Sequence, residues 1–364
     1  MNVEEFLEPS GKQSSITLEA GTAVSSRIRL ARNIKDAAFP GWAGEEECTR
    51  IWAQLSDALP SLKSMKPALA VAMNDLSSLD RQLLLERHLI SLEQSEKGQG
   101  SGLVVRQDER IAVMVNEEDH LRMQAIRPGL NLQRAWKDLD QVDSEIESVV
   151  RYAFSPNLGY LTACPTNVGT GIRASVMLHL PALVLLEEIN PIIKGMGKIG
   201  LAVRGLWGEG TEAIGNLFQI SNQITLGEPE KKIIADLEQI VQEIVEHEQN
   251  ACVRLMERRR SGVMDHVGRA YGVLTHSHIL TSREALDLLS ALSLGLDLGI
   301  LKSVDRRVVD ELLLLTQPGY LQKMEGRALK PKERDEARAD LVRSRLASST
   351  PKRRQSPKDR KKDE

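Results

Sequence analysis

Apolar residues recur along the first 260 residues with two different spacings, which predicts a mixture of strands and helices. Short apolar runs predict strands at residues 68–73, 102–105, 111–115, 199–206 and 217–226. Apolar positions three or four residues apart predict amphipathic helices at 79–92, 132–152, 173–188 (with an interruption at Pro181) and 229–260. This combination predicts an α+β domain in which a sheet is backed by helices.

After Gly262 the strand patterns end. Helical periodicity returns at residues 282–298, 305–316 and 331–346, with Pro and Gly between them, and predicts a separate helical domain. Residues 348–364 are rich in Ser, Pro, Lys and Arg and lack apolar periodicity, so we expect a disordered, solvated tail, with an electrostatic docking arm as the less favoured alternative. The predicted domains are therefore 1–260 and 261–347, followed by the tail 348–364.

Composition narrows the class of protein. The chain has 364 residues, enough for two domains, and its formal net charge of −3 argues against a nucleic-acid-binding protein. Cys48, Cys164 and Cys252 are widely spaced and odd in number, which indicates a reducing compartment and no zinc site. The first residues lack a secretory signal, and no run approaches the roughly 20 apolar residues that span a bilayer. We expect a soluble cytoplasmic protein.

The segment ACPTNVGTGIRASV, residues 163–176, carries the most specific chemistry. It joins a cysteine to a turn of small, hydrogen-bonding residues, and Arg173 follows at a predicted helix start, where backbone N–H groups favour an anion. Three other segments accompany it: SSRIRLARN (25–33), NEEDHLR (116–122) and RGLWGEGTEA (204–213). In SSRIR, alternation puts Arg27 and Arg29 on one face of an extended segment.

Arginines in these four segments suit phosphate binding, because the planar guanidinium stays charged and binds phosphate oxygens in pairs. The candidates for a five-arginine cradle are Arg27, Arg29, Arg122, Arg173 and Arg204. Each one taken singly is more often part of an ordinary surface salt bridge. The chain has neither a P-loop nor the Gly-rich, HRD and DFG motifs of protein kinases, so a kinase built on these segments has another design.

The four segments, in their order along the chain, resemble the catalytic core of the phosphagen (guanidino) kinase superfamily, and most closely its bacterial protein arginine kinases of the McsB type. The resemblance extends from about residue 24 to near 260, with further similarity beyond. It implies a phosphagen-kinase-like catalytic domain, an antiparallel sheet backed by helices, followed by an all-helical C-terminal domain that binds phosphoarginine. It also implies ATP as the phosphoryl donor, with Mg²⁺ arriving on the nucleotide and no dedicated metal site.

The resemblance assigns roles residue by residue. For nucleotide binding it implies Ser25, Ser26, Arg27, Ile28, Arg29, His88, Arg122, Arg173, Ala174, Ser175, Val176, Met177, Arg204, Gly205, Leu206, Trp207 and Gly208. For His88, an exposed histidine late in an amphipathic helix is nearly as good an interpretation.

A protonated guanidinium is a poor nucleophile, so its phosphorylation needs carboxylates that orient it and accept its proton. By resemblance these are Glu118, the candidate general base, and Glu209, while Glu117 and Asp119 shape the loop or support the site indirectly. Cys164 matches the cysteine on the substrate side, although a single cysteine is more often a small buried apolar residue.

The motif RDEARA in the helical domain places Arg334 and Arg338 on one helix face. By resemblance, Arg334, Asp335, Arg338 and Ala339 form an allosteric phosphoarginine-binding site. Taken alone, the motif is more typical of a solvated helix face.

The leading functional hypothesis is ATP-dependent phosphorylation of arginine residues in proteins. The alternatives are a kinase for free arginine or another small guanidino compound, and a phosphoarginine-binding adaptor with weak catalysis. Only about two dozen residues precede SSRIR, where small-molecule phosphagen kinases carry a helical domain, and this favours a protein substrate. By resemblance, the partners are protein substrates with accessible arginines, a zinc-binding activator protein, a heat-shock repressor and a Clp-type unfoldase; a homodimer is allowed, and neither a membrane nor direct nucleic-acid binding is expected.

Overall fold

The computed structural model describes residues 3–8, 21–205 and 213–349. The strands are β1 (Ala23–Arg32), β2 (Ala68–Ala72), β3 (Gly102–Arg106), β4 (Ile111–Val115), β5 (Leu121–Pro128), β6 (Phe154–Ser155), β7 (Gly159–Tyr160), β8 (Ile172–His179), β9 (Leu201–Gly205) and β10 (Leu217–Asn222). The helices are α1 (Val3–Leu7), α2 (Glu45–Ala58), α3 (Ser78–Glu86), α4 (Leu92–Glu96), α5 (Leu132–Glu147), α6 (Pro181–Leu185), α7 (Ile189–Lys198), α8 (Glu230–Arg258), α9 (Arg260–His276), α10 (Ser282–Asp297), α11 (Arg306–Leu315), α12 (Pro318–Met324) and α13 (Pro331–Ser349).

Eight strands form one antiparallel sheet in the order β2-β3-β4-β5-β1-β8-β10-β9, and β6 and β7 form a separate hairpin. The central strand, β1, alternates polar and aliphatic residues, so Ile28 and Leu30 face one side and Arg27 and Arg29 the other. The aliphatic side packs in the main core against α2, α5 and α8, and α7 packs against the edge strand β9.

The opposite face is covered over only half its width. Leu69, Val71 and Leu103 of β2 and β3 pack there against Leu84 of α3 and Leu7 of α1. The other half is formed by β5, β1, β8, β10 and β9. Strand alternation sends five arginines of these strands to this side, which α3 and α1 do not cover: Arg27, Arg29, Arg122, Arg173 and Arg204.

The C-terminal helices α9, α10, α11 and α13 share a separate apolar cluster that includes Leu274, Leu289 and Leu312. Polar contacts through α12 join the C-terminal helical region to the sheet half of the molecule. The buried carboxylate of Glu86 in α3 accepts hydrogen bonds from the backbone N–H groups of Gly319 (2.8 Å) and Tyr320 (3.2 Å) in α12. None of the helices in the described ranges is long and apolar enough to cross a membrane.

The antiparallel sheet backed by helices and the helical C-terminal region confirm the predicted fold class. The helix predicted over 173–188 is wrong, because residues 172–179 form β8 and a helix begins only at Pro181. Ile172, Ala174, Val176 and Leu178 are apolar at every second position, which is the period of a strand. The helix predicted over 79–92 ends at Glu86. The domain limits stay a prediction, and residues 350–364 of the tail lie outside the described part of the chain.

Candidate active site

The arginines predicted from four separated segments lie around one cavity of about 310 Å³, here called the arginine cavity. Its lining residues are Arg27, Arg29, Leu85, His88, Ile90, Ser91, Leu92, Glu93, Met114, Arg122, Gln124, Arg173, Arg204 and Gln219. A cavity of this size lies at the small end of the range of ligand sites, roughly 300–1,000 Å³.

Strand register brings the arginines together. Arg29 of β1 lies directly opposite Arg173 of β8, and Arg122 of β5 pairs with Ala31, two positions along β1 from Arg29. Arg204 of β9 lies opposite Gln219 of β10, whose side chain accepts a hydrogen bond from Arg27 at 3.3 Å. Residues directly opposite on adjacent strands are about 4.5–5.5 Å apart at Cβ, so the guanidinium groups share one volume.

Electrostatic strain in the arginine cavity is strong. Burial, followed by the charges of Arg122 and Arg173, lowers the pKa of Arg27 to about 10. Burial and then Arg27 hold the pKa of Arg29 well below its usual range, and the buried Nε of Arg29 has no hydrogen-bond partner. Burial and then Arg204 lower the pKa of Arg173. Such a cluster of cations with an unpartnered donor fits a multiply charged anion, such as a nucleoside triphosphate.

Arg122 is fixed by an acidic partner. Its Nη1 donates to both carboxylate oxygens of the fully buried Glu117, at 2.7 and 2.6 Å, and Ser91 also donates to Glu117. Burial alone would raise the pKa of Glu117, but the charge and hydrogen bonds of Arg122 outweigh it and lower that pKa. Glu117 therefore orients one arginine of the cavity.

The turn between β4 and β5 presents Glu118. Its neighbour Asp119 is buried and accepts hydrogen bonds from Asn33 Nδ2 at 2.5 Å and from the Ala163 N–H at 2.7 Å. Glu118 itself is exposed, and partial desolvation followed by the charge of Asp119 raises its pKa. Glu118 therefore stands in the turn between two anchored acids, and its own side chain stays open to solvent.

The Ala163 contact connects this turn to the loop that carries Cys164. The Cys164 sulfur lies 3.0 Å from Thr166 Oγ1. Thr225 Oγ1 donates to the carbonyls of Thr166 and Val168, at 2.9 and 2.8 Å. Anchors before and after Cys164 therefore fix the cysteine loop, and the first of them ties it to the glutamate turn.

Arg32 is a site-supporting residue that the sequence reasoning missed. It is almost fully buried, donates to Asp143 Oδ2 at 2.7 Å and to the Thr170 carbonyl at 2.9 Å, and its guanidinium lies 3.5 Å from the Tyr160 ring centre. The sequence did contain a signal for this different role: Arg32 is an odd number of residues from Arg27, so strand alternation places it on the opposite side of β1.

Several residues assigned to nucleotide binding face away from the cavity. Ser26, Ile28, Ala174 and Val176 are buried on the main-core side of the sheet. The Ser26 hydroxyl donates to the Gly129 carbonyl at 2.8 Å and accepts from the backbone N–H of residue 131 at 2.8 Å, so it does not point to the arginines. Ser25, Ser175 and Met177 belong to the other strand parity, on the arginine side.

Two local expectations are corrected. Arg173 is the second residue of the antiparallel strand β8, so no helix N-terminus contributes to anion binding there. His88 lies in a turn with φ of 57° and lines the cavity instead of standing exposed on a helix. Burial and then Arg27 lower the pKa of His88 to about 4, which leaves it neutral at neutral pH.

Glu209, Leu206, Trp207 and Gly208 lie outside the described residues, and Gly205 ends β9. Within residues 3–8, 21–205 and 213–349, no group of three or more His, Cys, Asp and Glu side chains is arranged to hold a metal ion.

The RDEARA motif lies in α13, and its two arginines differ. Arg338 is 1% exposed, and its fork donates to the carbonyls of Thr316 (2.8 Å) and Leu280 (2.7 Å) and to Asp335 (2.6 Å). Ala339 is buried in the helical core. The expected clamp of two arginines is therefore not formed in this structure, where only Arg334 is partly open to solvent.

Comparison with protein families matches residues 50–251 to the catalytic domain of the ATP:guanido phosphotransferases and residues 260–357 to the C-terminal domain of the protein-arginine kinase McsB. The chain is 44% identical to the protein-arginine kinase of Halothermothrix orenii, over 95% of this chain and 97% of that one. It is 44% identical to the protein-arginine kinase of Bacillus subtilis, over 94% of this chain and 93% of that one.

Solved structures agree on the fold. The duplicated taurocyamine kinase of Schistosoma mansoni has a TM-score of 0.57 and 25% identity, over 73% of this chain and 38% of that one. A lombricine kinase has a TM-score of 0.56 and 23% identity, over 67% and 70% of the two chains. At this identity the second likeness concerns the fold alone.

Proposed function

The chain belongs to the protein-arginine kinases of the ATP:guanido phosphotransferase family and is therefore a phosphotransferase, and we propose that it transfers a phosphoryl group from ATP to arginine side chains of proteins. The single observation that supports this most is the juxtaposition of the five-arginine cavity with the turn that carries Glu118. One part suits a polyanionic donor, and the other suits a cationic acceptor.

The donor side works by positioning and charge. Phosphoryl transfer is accelerated mainly by aligning the reactants and neutralising charge that spreads over the phosphate oxygens. Arg122, oriented by Glu117, would contact these oxygens together with Arg27 and Arg173. Because these groups repel one another before the nucleotide binds, a bound triphosphate relieves an existing electrostatic cost. Magnesium bound to the nucleotide would add further charge neutralisation, held mainly by phosphate and water.

The acceptor side works by deprotonation. The attacking guanidinium nitrogen must lose a proton as its bond to phosphorus forms, and Glu118 would accept that proton. The raised pKa of Glu118 makes it a better base than an ordinary exposed glutamate. Glu209 would be the second carboxylate that orients the acceptor, and Cys164, on the anchored loop, would face the cationic substrate.

Kinship also supports finer proposals. We assign an arginine within a protein as the acceptor, because the relatives that match nearly the whole chain are protein-arginine kinases. The same proposal includes two outcomes of the modification: delivery of phosphoarginine-marked clients to a Clp-type unfoldase and inactivation of a heat-shock repressor. It also includes a zinc-binding activator, a homodimer and allosteric binding of phosphoarginine at Arg334 and Asp335. A kinase for free arginine is the competing function.

Incubation with ATP, Mg²⁺ and a denatured protein tests the proposal, with mass spectrometry under non-acidic conditions that preserve the P–N bond. Free arginine and creatine serve as competing acceptors, and Glu118→Gln serves as the catalytic control. We expect phosphoarginine on the protein, in wild type only. Efficient labelling of free arginine without labelling of protein would establish the small-molecule function instead.

A further inference from the structure

The sheet ends on one side at β2, and a groove runs along this edge. Among the described residues β2 pairs only with β3, so its other side has no strand partner. Trp52 and Asp57 of α2 line the groove on one side, and Leu7 of α1 and Asp75 line it on the other. The groove has a volume of about 680 Å³. An unpaired strand edge offers backbone N–H and C=O groups to an additional strand.

The strand at this edge lacks the usual protection. Edge strands are commonly blocked by charged side chains or proline on the strand itself, but β2 has the sequence ALAVA. Ala70 and Ala72 are partly exposed, and their small side chains leave room alongside the backbone. Trp52 packs over Gly102 of β3, where a Cβ atom would lie 2.3 Å from the indole ring.

The groove is acidic, although the strand is not. Its lining includes the carboxylates of Glu4, Asp57, Asp75 and Asp80, and a single ammonium group, that of Lys323. Lys323 pairs with Asp80 at 3.1 Å, and the exposed carboxylates of Asp57 and Asp75 then make the lining negative. This charge complements a segment rich in lysine and arginine, and a partly exposed tryptophan can also stack on a guanidinium.

The groove is connected to the catalytic turn through α2. Asn116, two residues before Glu118, donates from Nδ2 to the Cys48 carbonyl of α2 at 2.9 Å. Asp57 follows Cys48 by nine residues on the same helix, a separation of roughly 13 Å at about 1.5 Å per residue. An extended chain covers that distance with about four residues. A segment seated in the groove could therefore present a nearby arginine to Glu118.

We propose that the β2 edge groove binds an extended, lysine- and arginine-rich segment of the protein substrate as an additional strand of the sheet. This inference rests on the proposed function, in which the acceptor arginine belongs to a protein. Strand addition requires free backbone groups on the incoming chain, so the groove selects unfolded segments over folded ones. Charge in the groove then selects basic segments among them.

Charge reversal in the groove tests the proposal. Asp57→Lys with Asp75→Lys changes two exposed side chains, and Asp236→Lys with Glu246→Lys, exposed on α8, is the matched control with the same change in net charge. The substrates are an unfolded basic protein and a short blocked peptide with one arginine. In the groove variant we expect KM for the protein to rise about tenfold, or about 1.4 kcal/mol, with kcat unchanged. The peptide should react equally with all three enzymes.

Two further measurements address the mode of binding. Added salt should raise the protein KM of wild type and of the control more than that of the groove variant. Hydrogen exchange at the amides of β2 should slow when wild type binds an unreactive, lysine-only version of the unfolded segment, as expected for a new strand.

The possible failures are distinct. If wild type phosphorylates no protein, the proposed function fails. If wild type does so and the groove variant behaves like its control, or loses activity on the peptide as well, the docking groove is refuted. Deletion of residues 350–364 addresses the chain's own basic tail: if deletion lowers the protein KM of wild type but not of the groove variant, the tail is the occupant and the assignment to the substrate is overturned.

Discussion

Replacement of Arg27 by methionine is expected to stabilise the protein without nucleotide and to reduce the additional stabilisation that bound nucleotide provides. Arg27 lies among other cations in the arginine cavity, and its pKa is lowered to about 10 by burial, Arg122 and Arg173. At neutral pH the group is protonated in both the folded and the unfolded state, so the full cost of this charge is present. That cost decreases only as the pH rises through about 10.

The magnitude follows from the pKa. Each pKa unit corresponds to about 1.4 kcal/mol, so a pKa near 10 sets an upper limit of about 3 kcal/mol on the cost of charging Arg27. Solvent reaches this partly exposed side chain and screens its charge, so we expect a net gain in the free energy of unfolding of about 1–2 kcal/mol. For a chain of 364 residues the gain corresponds to a rise in Tm of about 1–3 °C. Wild type with ATP at a hundred times its Kd gains about 2.7 kcal/mol, and the variant should gain less.

Thermal unfolding with and without Mg·ATP measures both effects. Arg32→Met is the matched control, because Arg32 lies on the same strand but is buried and paired with Asp143 at 2.7 Å. Its loss leaves a buried carboxylate without a partner and should cost about 3–5 kcal/mol with or without nucleotide. If Arg27→Met lowers the Tm of the nucleotide-free protein as Arg32→Met does, the repulsion argument is refuted and Arg27 is a structural residue.

Three further results are expected. Glu118→Gln should lower kcat by about 10²-fold with an unchanged Tm, and a wild-type rate in the variant would contradict this. As the pH is lowered, the wild-type rate should begin to fall at a higher pH than expected for an ordinary glutamate, because the pKa of Glu118 is raised and the base must be deprotonated; a fall only at lower pH would contradict the assignment. Arg338→Met should lower the Tm, because the Thr316 carbonyl loses a buried hydrogen-bond donor. Arg334→Ala should keep the Tm and abolish any response of the initial rate to phosphoarginine; equal Tm values of the two variants would contradict a structural role for Arg338 and a binding role for Arg334. Burial raises the pKa of Glu86 to about 7, so the folded state loses stability as the pH rises toward 7. Glu86→Gln should therefore reduce the difference in Tm between about pH 5 and pH 8, and an unchanged difference would show that other groups cause it.

Prediction from the sequence succeeded where local alternation was sufficient. The spacing of Arg27 and Arg29 placed both on one face of a strand, and the structure has them side by side in the cavity. Prediction failed at Arg173, because apolar residues beyond Pro181 were added to a strand pattern that ends before it. The His88 turn, with φ of 57°, was also beyond reach, because a helical periodicity does not show where its hydrogen bonds stop.

The sequence by itself determined which residue types were present for phosphoryl transfer and on which face of β1 the arginines lie, since these depend on composition and on a two-residue period. Only the tertiary structure decided that Glu117 is the carboxylate that orients Arg122, while Glu118, one residue later, stays open. The tertiary structure also separated Arg334 from Arg338 on a single helix face. The physical reason is that burial and hydrogen-bond partners come from segments far apart in the chain, and no local pattern encodes how those segments pack.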